Sequence, residues 1–366
     1  MNIAFLTKRQ YMQKDVIDDR YARVYELPNQ LAMQGHRVLG VCLSYRQRAE
    51  GRFEHYRDNG GLLEWHSFNL EAGLLPGFHR YLQQTEVLLR EFQPDVLLGC
   101  SDCPHAIVTA FFSRKLRVPY FLDLYDNYES FGLAKIPGVL PLYRVAIKHA
   151  VGISCVSEPL SVYIREHYRH GNVLTLESTI KGGDFYPKDR LETRRLFDLP
   201  EQAKLMGVAG SLHRNRGIGL LYDSFLSLAE RDSELHLVLA GPLDNACPIP
   251  EHPRIHYLGL LPHSRIVDFY NALDLAVVCM RDSAFGRYAF PQKTYEILAC
   301  RTPILTARLG ALAQTLSHYP QCLYEPEDQH DLQNKIVALL EHPCTPKLAV
   351  PTWADQAKRL AAWLQT

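Results

Sequence analysis

Two stretches of the chain carry residue types that can hold an anionic ligand. In "GSLHRNRGIG", residues 210–219, a glycine follows the apolar run "KLMGVA", and His213, Arg214 and Arg216 gather just before an apolar-periodic segment. Gly210 allows a sharp turn off a strand. A helix starting near residue 218 would offer unpaired N–H groups and the positive end of its dipole. Guanidinium forks beside it match phosphate geometry. The pattern therefore suits a diphosphate clamp, with an ordinary solvated arginine loop as the alternative. "GIG" is a weak dinucleotide fingerprint, because Leu221 or Tyr222 stands where a third glycine belongs.

The second stretch is "RYAFPQKTYEILACRTPIL", residues 287–305. Pro291 suits a first helical turn, and Lys293 and Glu296 then share one helix face. Lys293 can reach a bound anion. Glu296 can accept hydrogen bonds from vicinal hydroxyls, as acidic residues do with a ribose. The alternative is a wet i,i+3 ion pair worth about 0.2–0.5 kcal/mol. Taken together, the two stretches imply a nucleoside diphosphate site, with phosphates near Arg216 and Lys293 and ribose near Glu296.

The elements that must position these residues alternate. Apolar runs such as "NIAFLT", "RVLGVCLS", "GLLEWHSF", "DVLLGC", "PYFLDLY" and "GISCVS" read as strands between helical segments, and "KLMGVA", "LHLVLAG", "LDLAVVCM" and "TPILTA" repeat the rhythm. Such alternation predicts parallel sheets covered on both faces, whose ligands bind beyond the carboxyl ends of the strands. The helix before Gly35 contains Pro28, which is expected to kink it or mark its start. The stretch "RDSAFGRYAF" reads as a loop. The polar segment 177–202 reads as an inter-domain connection. With 366 residues, two domains of ordinary size are expected. Their bounds are placed at 1–180 and 181–350, with 351–366 as a terminal amphipathic helix bearing Trp353, Ala357, Leu360 and Trp363 near one face.

Composition narrows the class. Forty basic and forty acidic side chains leave no net charge, so no global field draws the chain to nucleic acid. Nine scattered cysteines do not form a disulfide framework and suit a reducing cytoplasm. "MNIAFLTKRQ" has too short an apolar run for a signal peptide, and no apolar run approaches a membrane span. "CSDC", residues 100–103, offers a redox pair or half a zinc site, but no second CxxC follows.

At this point the residues resemble a known family. "LAMQGHRV", "ISCVSEPLSVYIRE", "VAGSLHRNRGIGLLYDSF", "LHLVLAGP", "IHYLGLLPHSRIVDFYNALDLAVV", "FPQKTYEILACRTPIL" and "TWADQAKRLAAWL" resemble, in order and spacing, segments of the retaining GT-B glycosyltransferases of family 4, the "glycosyl transferases group 1". The resemblance implies an α/β chain of two Rossmann-like domains facing a cleft, with a C-terminal helix crossing back to the first. The first domain would bind the acceptor and the second the donor, a nucleotide-diphosphate sugar. The implied donor set is Gly210, Ser211, Arg214, Arg216, Tyr288, Phe290, Pro291, Lys293 and Glu296. Ser211 stands where the family has an arginine, and Tyr288 where it often has a glutamate. "PYFLDLYDNYESF" matches the loop where many members carry a histidine. Tyr125 takes that place, and Asp126 beside it could bind an acceptor or sugar hydroxyl, or merely cap a turn. "DVIDDRYAR" fills the place of a glycine-rich loop without a glycine.

The implied chemistry is front-face transfer with retention, in which Arg216, Lys293 and a helix N-terminus stabilise the departing diphosphate. No metal or other cofactor is expected; "LDLYD" is the nearest approach to a DxD motif. The acceptor is expected to be a glycan or a lipid-linked sugar, in cell-surface polysaccharide or glycoconjugate synthesis. A catalytically silent sugar-nucleotide binder, acting as a partner subunit, is the competing class. A nicotinamide oxidoreductase would need a glycine fingerprint after the first strand, and "AFLTKRQYMQKD" has none. Residues 133–150 mix Lys135, Arg144, Lys148 and His149 with apolar side chains. They suit either packing on the sheet or peripheral contact with the inner face of a membrane.

Overall fold

The computed structural model describes residues 1–11, 14–70 and 74–366. They form two units, Met1–Ser178 with Pro351–Thr366, and Thr179–Val350. The first unit contains strands β1 (Asn2–Lys8), β2 (Gln10–Tyr11), β3 (Lys14–Asp15), β4 (Arg37–Ser44), β5 (Gly51–Asp58), β6 (Gly61–Asn69), β7 (Val96–Cys100), β8 (Tyr120–Leu124), β9 (Gly152–Cys155) and β10 (Val173–Thr175). Between them run α1 (Ala22–Met33), α2 (Leu74–Phe92), α3 (Cys103–Leu116), α4 (Val139–His149) and α5 (Glu158–His167). The main sheet has the order β10-β9-β8-β7-β1-β4-β6-β5. Its central strands are buried along nearly their whole length, which is why they read as unbroken apolar runs.

An edge strand is missing from the sequence reading, and one of that reading's alternatives is decided. β5 pairs antiparallel with β6 and closes one sheet edge. Its sequence, "GRFEHYRD", is too charged to read as a strand; Arg52 and Arg57 both pair with Glu54 on its exposed surface. Charges of this kind suit an edge, where they discourage further pairing. Pro28 lies inside α1 rather than at its start. The helix ends at Gly35, whose φ of +89° is a left-handed conformation that favours glycine.

The second unit has β11 (Lys204–Ala209), β12 (Leu235–Ala240), β13 (Ile255–Tyr257), β14 (Leu275–Val278), β15 (Ile304–Ala307) and β16 (Leu323–Tyr324). All pair in parallel, in the order β13-β12-β11-β14-β15-β16. Its helices are α6 (Arg190–Arg195), α7 (Ile218–Ala229), α8 (Ile266–Ala272), α9 (Ala284–Tyr288), α10 (Lys293–Ala299), α11 (Gly310–Thr315) and α12 (Gln329–Glu341). The loop expected over 281–290 contains α9, because the Ser283 hydroxyl accepts the Gly286 N–H at 3.1 Å and starts a turn.

The chain then returns to the first unit as α13 (Trp353–Trp363). Thr352 and Asp355 form a capping box at its start. Trp353, Ala357 and Leu360 are fully buried in the same core as α1 and β1, with Trp363 packed against it. Burying Trp353 and Leu360 contributes about 2–3 kcal/mol each. This packing ties α13 to the first unit.

Candidate functional site

The chemistry-bearing loops of the second unit meet at the carboxyl end of β11. Gly210 leaves that strand with φ +112°. The Lys293 ammonium donates to the Ala209 carbonyl at 2.7 Å. A Cβ on Gly210 would lie 2.7 Å from the same nitrogen, so only glycine lets the amine approach this closely. One of the three Lys293 N–H donors is thus used by backbone, leaving two for a ligand oxygen. Burial lowers the Lys293 pKa, and the nearby Arg216 charge adds to that; Cys279 and Glu296 pull the other way.

Arg216 ends a 3-10 turn, Arg214–Arg216, before Gly217 and α7. Its guanidinium lies 3.7 Å from the centre of the Phe285 ring in α9. Stacking at that distance holds the fork flat, as arginine does at phosphate sites. Arg214 is exposed. Its backbone N–H, rather than its side chain, reaches Asp244, at 2.9 Å.

Glu296 is 5% exposed and is not paired with Lys293 among the described residues. Gln292 donates to it at 3.0 Å, the Tyr270 hydroxyl lies at 3.5 Å, and His263 Nε2 at 3.6 Å. Such a carboxylate is held in one orientation before any ligand arrives. The surface ion pair considered for Lys293 and Glu296 is therefore not what these two residues form. Tyr288 closes α9 and is partly buried, as are Ser211 and Pro291. Phe290 is buried against Tyr295, with ring centres 4.8 Å apart, and serves the packing of α10.

The structure thus brings together Gly210, Arg216, Lys293 and Glu296 around one strand end, and leaves the Arg214 side chain outward. Phe285, Gln292, His263 and Tyr270 escaped the sequence reading. Gln292 sits inside "FPQK", but nothing in the pattern marks His263 or Tyr270 as partners of Glu296, some thirty residues away.

Asp126 lies in the first unit, after β8. It lines a pocket of about 170 Å3 with Lys8, Ser101, Asp102, Cys103, Tyr125, Tyr128, Phe131 and Leu133. One Asp126 oxygen accepts the Asn127 N–H at 2.9 Å. Asp102 caps α3 by accepting the His105 N–H at 3.0 Å. His105 Nδ1 lies 2.6 Å from the same oxygen, and the Tyr45 hydroxyl donates to the other at 2.9 Å. Burial opposes ionisation of Asp102, but His105, Lys8 and the capping bond outweigh it and hold its carboxyl below the usual range. Cys100 and Cys103 flank this turn. Both are buried, and burial pushes both thiols up to about 12. Neither is a ready thiolate at neutral pH, so the redox reading of "CSDC" finds no support here, and among the described residues no group of three or more His, Cys, Asp or Glu side chains gathers to complete a zinc site.

The glycine-free segment 15–23 is held by a buried ion pair. Arg23, fully buried at the start of α1, forms a forked ion pair with Asp123 at 2.8 and 2.6 Å, beneath the carboxyl end of β8. Arg20 and Ala22 adopt φ of +49° and +56° in the turn before it, where glycine would be the ordinary choice. On α4, Tyr143, Ala146 and Ile147 pack inward, while Leu142 and Val145 are 54% and 55% exposed.

A sequence profile described as "Glycosyl transferases group 1" matches residues 203–342, and one described as "Glycosyl transferase 4-like domain" matches residues 22–176. The D-inositol 3-phosphate glycosyltransferase 2 of Catenulispora acidiphila is 25% identical over 190 residues, covering 47% of this chain but only 43% of that protein. A candidate teichuronic acid biosynthesis glycosyltransferase of Bacillus subtilis is 23% identical over 256 residues, covering 68% of this chain and 61% of that one. The match therefore spans less than two thirds of the length of either relative. The crystal structure of Anabaena HepE in complex with UDP shares the fold, with a TM-score of 0.70 at 15% identity over 99% of this chain and 95% of that one.

Proposed function

This chain belongs to the glycosyl transferases group 1, with the GT-B fold, and on that premise we propose that it moves a sugar with retention from a nucleotide-diphosphate sugar to a hydroxyl of a glycan or lipid-linked acceptor. The observation that carries the reading is the convergence of Lys293, at the start of α10, and Arg216, in the loop after β11, at the carboxyl end of that strand. In this reading the bond between the anomeric carbon and the diphosphate oxygen breaks. Negative charge collects on the departing diphosphate, where Lys293, Arg216 and the N-terminus of α7 stabilise it. The acceptor oxygen bonds to the same face of the anomeric carbon, and its proton passes to the diphosphate oxygen. Glu296 receives the ribose hydroxyls. Because the protein's own cations neutralise the leaving group, no metal is assigned a part.

UDP is the first nucleotide to test, since HepE is described in complex with it. A role in cell-surface polysaccharide synthesis is supported by the name of the Bacillus relative. The exposed apolar residues of α4, beside Lys135 and Lys148, support peripheral contact of residues 133–150 with the inner, cytoplasmic face of a membrane. Among the described residues no helix is long and apolar enough to cross one.

The test is a thermal-shift panel of UDP, GDP, dTDP and ADP in EDTA. One nucleotide should stabilise the chain selectively, and Glu296→Ala should abolish the shift. Stabilisation by none of the four, or only when EDTA is replaced by a divalent cation, would overturn the corresponding part of the reading.

A further inference from the structure

We propose that Cys322 and Cys344 are a thiol-modification site, which disulfide oxidants close into a reversible disulfide that staples the end of α12 to the sheet of the second unit. Cys322 ends a 3-10 turn, Pro320–Cys322, that leads directly into β16. It therefore stands at the amino edge of the parallel sheet, opposite the carboxyl edge that holds Lys293. Cys344 follows α12, so the pair brackets that strand and that helix. Three contacts fold the segment after α12 back onto the turn and its surroundings. The Gln321 amide donates to Cys344 Sγ at 3.1 Å, the Lys347 N–H donates to the Tyr319 hydroxyl at 3.1 Å, and the Thr345 hydroxyl donates to the Arg301 carbonyl at 3.3 Å. The sulfur of Cys344 is thus held against the neighbour of Cys322, and the two thiols lie within hydrogen-bonding reach of each other. A few residues further on, at Pro351, the chain re-enters the first unit.

Access to the two sulfurs is unequal, and that sets the order of events. Cys322 is fully buried, whereas Cys344 is partly exposed. Cys344 is the thiol that an oxidant from solution meets first. With oxidised glutathione as the oxidant, the Cys344 thiolate attacks one of its two sulfurs, the bond between them breaks, and one glutathione departs. The Cys322 sulfur then attacks Cys344 Sγ, the bond from Cys344 to glutathione breaks, and the second glutathione departs. The two protein sulfurs are oxidised, the glutathione disulfide is reduced, and the two thiol protons pass to the departing glutathiones. Burial raises the Cys322 pKa, and the charge of Cys344 raises it further, while Lys335 opposes both. Capping Cys344 removes that charge, which eases ionisation of Cys322 at the step that needs it. Lys335 is kept nearby by donating to the Pro320 carbonyl at 3.4 Å. Cys100 and Cys103 offer a contrast, since both are buried and neither gives an oxidant a point of entry. Disulfides that form in reducing compartments are usually transient and redox-sensing, and a pair that opens and closes suits that pattern.

Differential alkylation with peptide mass mapping of the full chain, after incubation with oxidised glutathione, tests this. A peptide joining Cys322 to Cys344 should appear, lighter by two hydrogens than the two reduced peptides together, and dithiothreitol should restore both thiols. Cys322→Ala should leave glutathione attached to Cys344 at a level at least about tenfold above that in the wild type, because the second step is lost. Cys344→Ser, a change at a partly exposed position, should keep the fold and leave Cys322 unmodified. Oxidation should raise the denaturation temperature of the wild type by at least about 4 °C, by closing the loop between the two residues, and leave that of Cys344→Ser unchanged. Absence of the cross-link, cross-links that join other cysteines in its place, glutathione retained on Cys344 of the wild type, or a cross-linked chain that melts no higher would overturn the proposal.

Discussion

The two sheet edges that hold the candidate site residues differ in the charges they gather. At the end of β11 the side chains brought together are Lys293 and Arg216, with a single buried carboxylate, Glu296, set apart on Gln292 and His263. At the ends of β7 and β8 they are Asp102, which holds His105, and Asp126, with Lys8 the one ammonium among the described lining residues. The folds around them are alike: a buried parallel strand, a turn in a left-handed conformation at Gly210 or Ser101, and a helix beyond it. The architecture therefore supplies the place, and the loop residues supply the charges. A cationic edge suits a leaving diphosphate.

The sharpest way to break this contrast is to remove a cation. Lys293→Met should weaken nucleoside diphosphate binding by about 3 kcal/mol, roughly a hundredfold, while calorimetry of the nucleoside alone shows little change. A pH series adds a second reading. Burial lowers the Lys293 pKa, so affinity should begin to fall, as pH rises, below the ordinary lysine value of about 10.4. Lys293→Arg, which does not titrate there, should flatten that limb.

On the other edge, Asp102→Ala should destabilise the first unit by about 2 kcal/mol at neutral pH, read from denaturant midpoints, through loss of the α3 cap and the Tyr45 and His105 bonds. The folded-state carboxyl lies below its usual range. Its contribution is therefore present above the unfolded value of about 3.9 and lost as pH falls through the folded one. The gap between wild type and variant should close in acid. If it widens, Asp102 is not the ionised partner described.

Smaller effects sharpen the comparison. Glu296→Gln should reduce UDP affinity about tenfold, but leave 2′,3′-dideoxy-UDP unaffected, because only the ribose diol uses the carboxylate. Arg214→Ala should change UDP affinity by less than about threefold, since an exposed cation is screened.

Much of this was legible in the sequence. The strand–helix rhythm, the glycine turn at 210, the basic loop and the Lys293–Glu296 spacing are all local patterns, and local patterns survive in a linear reading. What was not legible is what distance conceals. Lys293 and Ala209 lie 84 residues apart, and Phe285 reaches Arg216 from another helix. The charged edge strand β5 hid behind its polarity. Asp102 was overlooked because two cysteines beside it drew the reading toward sulfur chemistry, and only burial showed those thiols to be inert.

The most direct test of the divided labour is isothermal titration of UDP into wild type, Arg216→Ala and Asp102→Asn under one buffer. The expected result is a loss of about 30-fold for Arg216→Ala, from about 2 kcal/mol of charge-assisted bonding, and none for Asp102→Asn. Equal losses in both, or a loss in Asp102→Asn alone, would contradict the assignment of the diphosphate to the second unit.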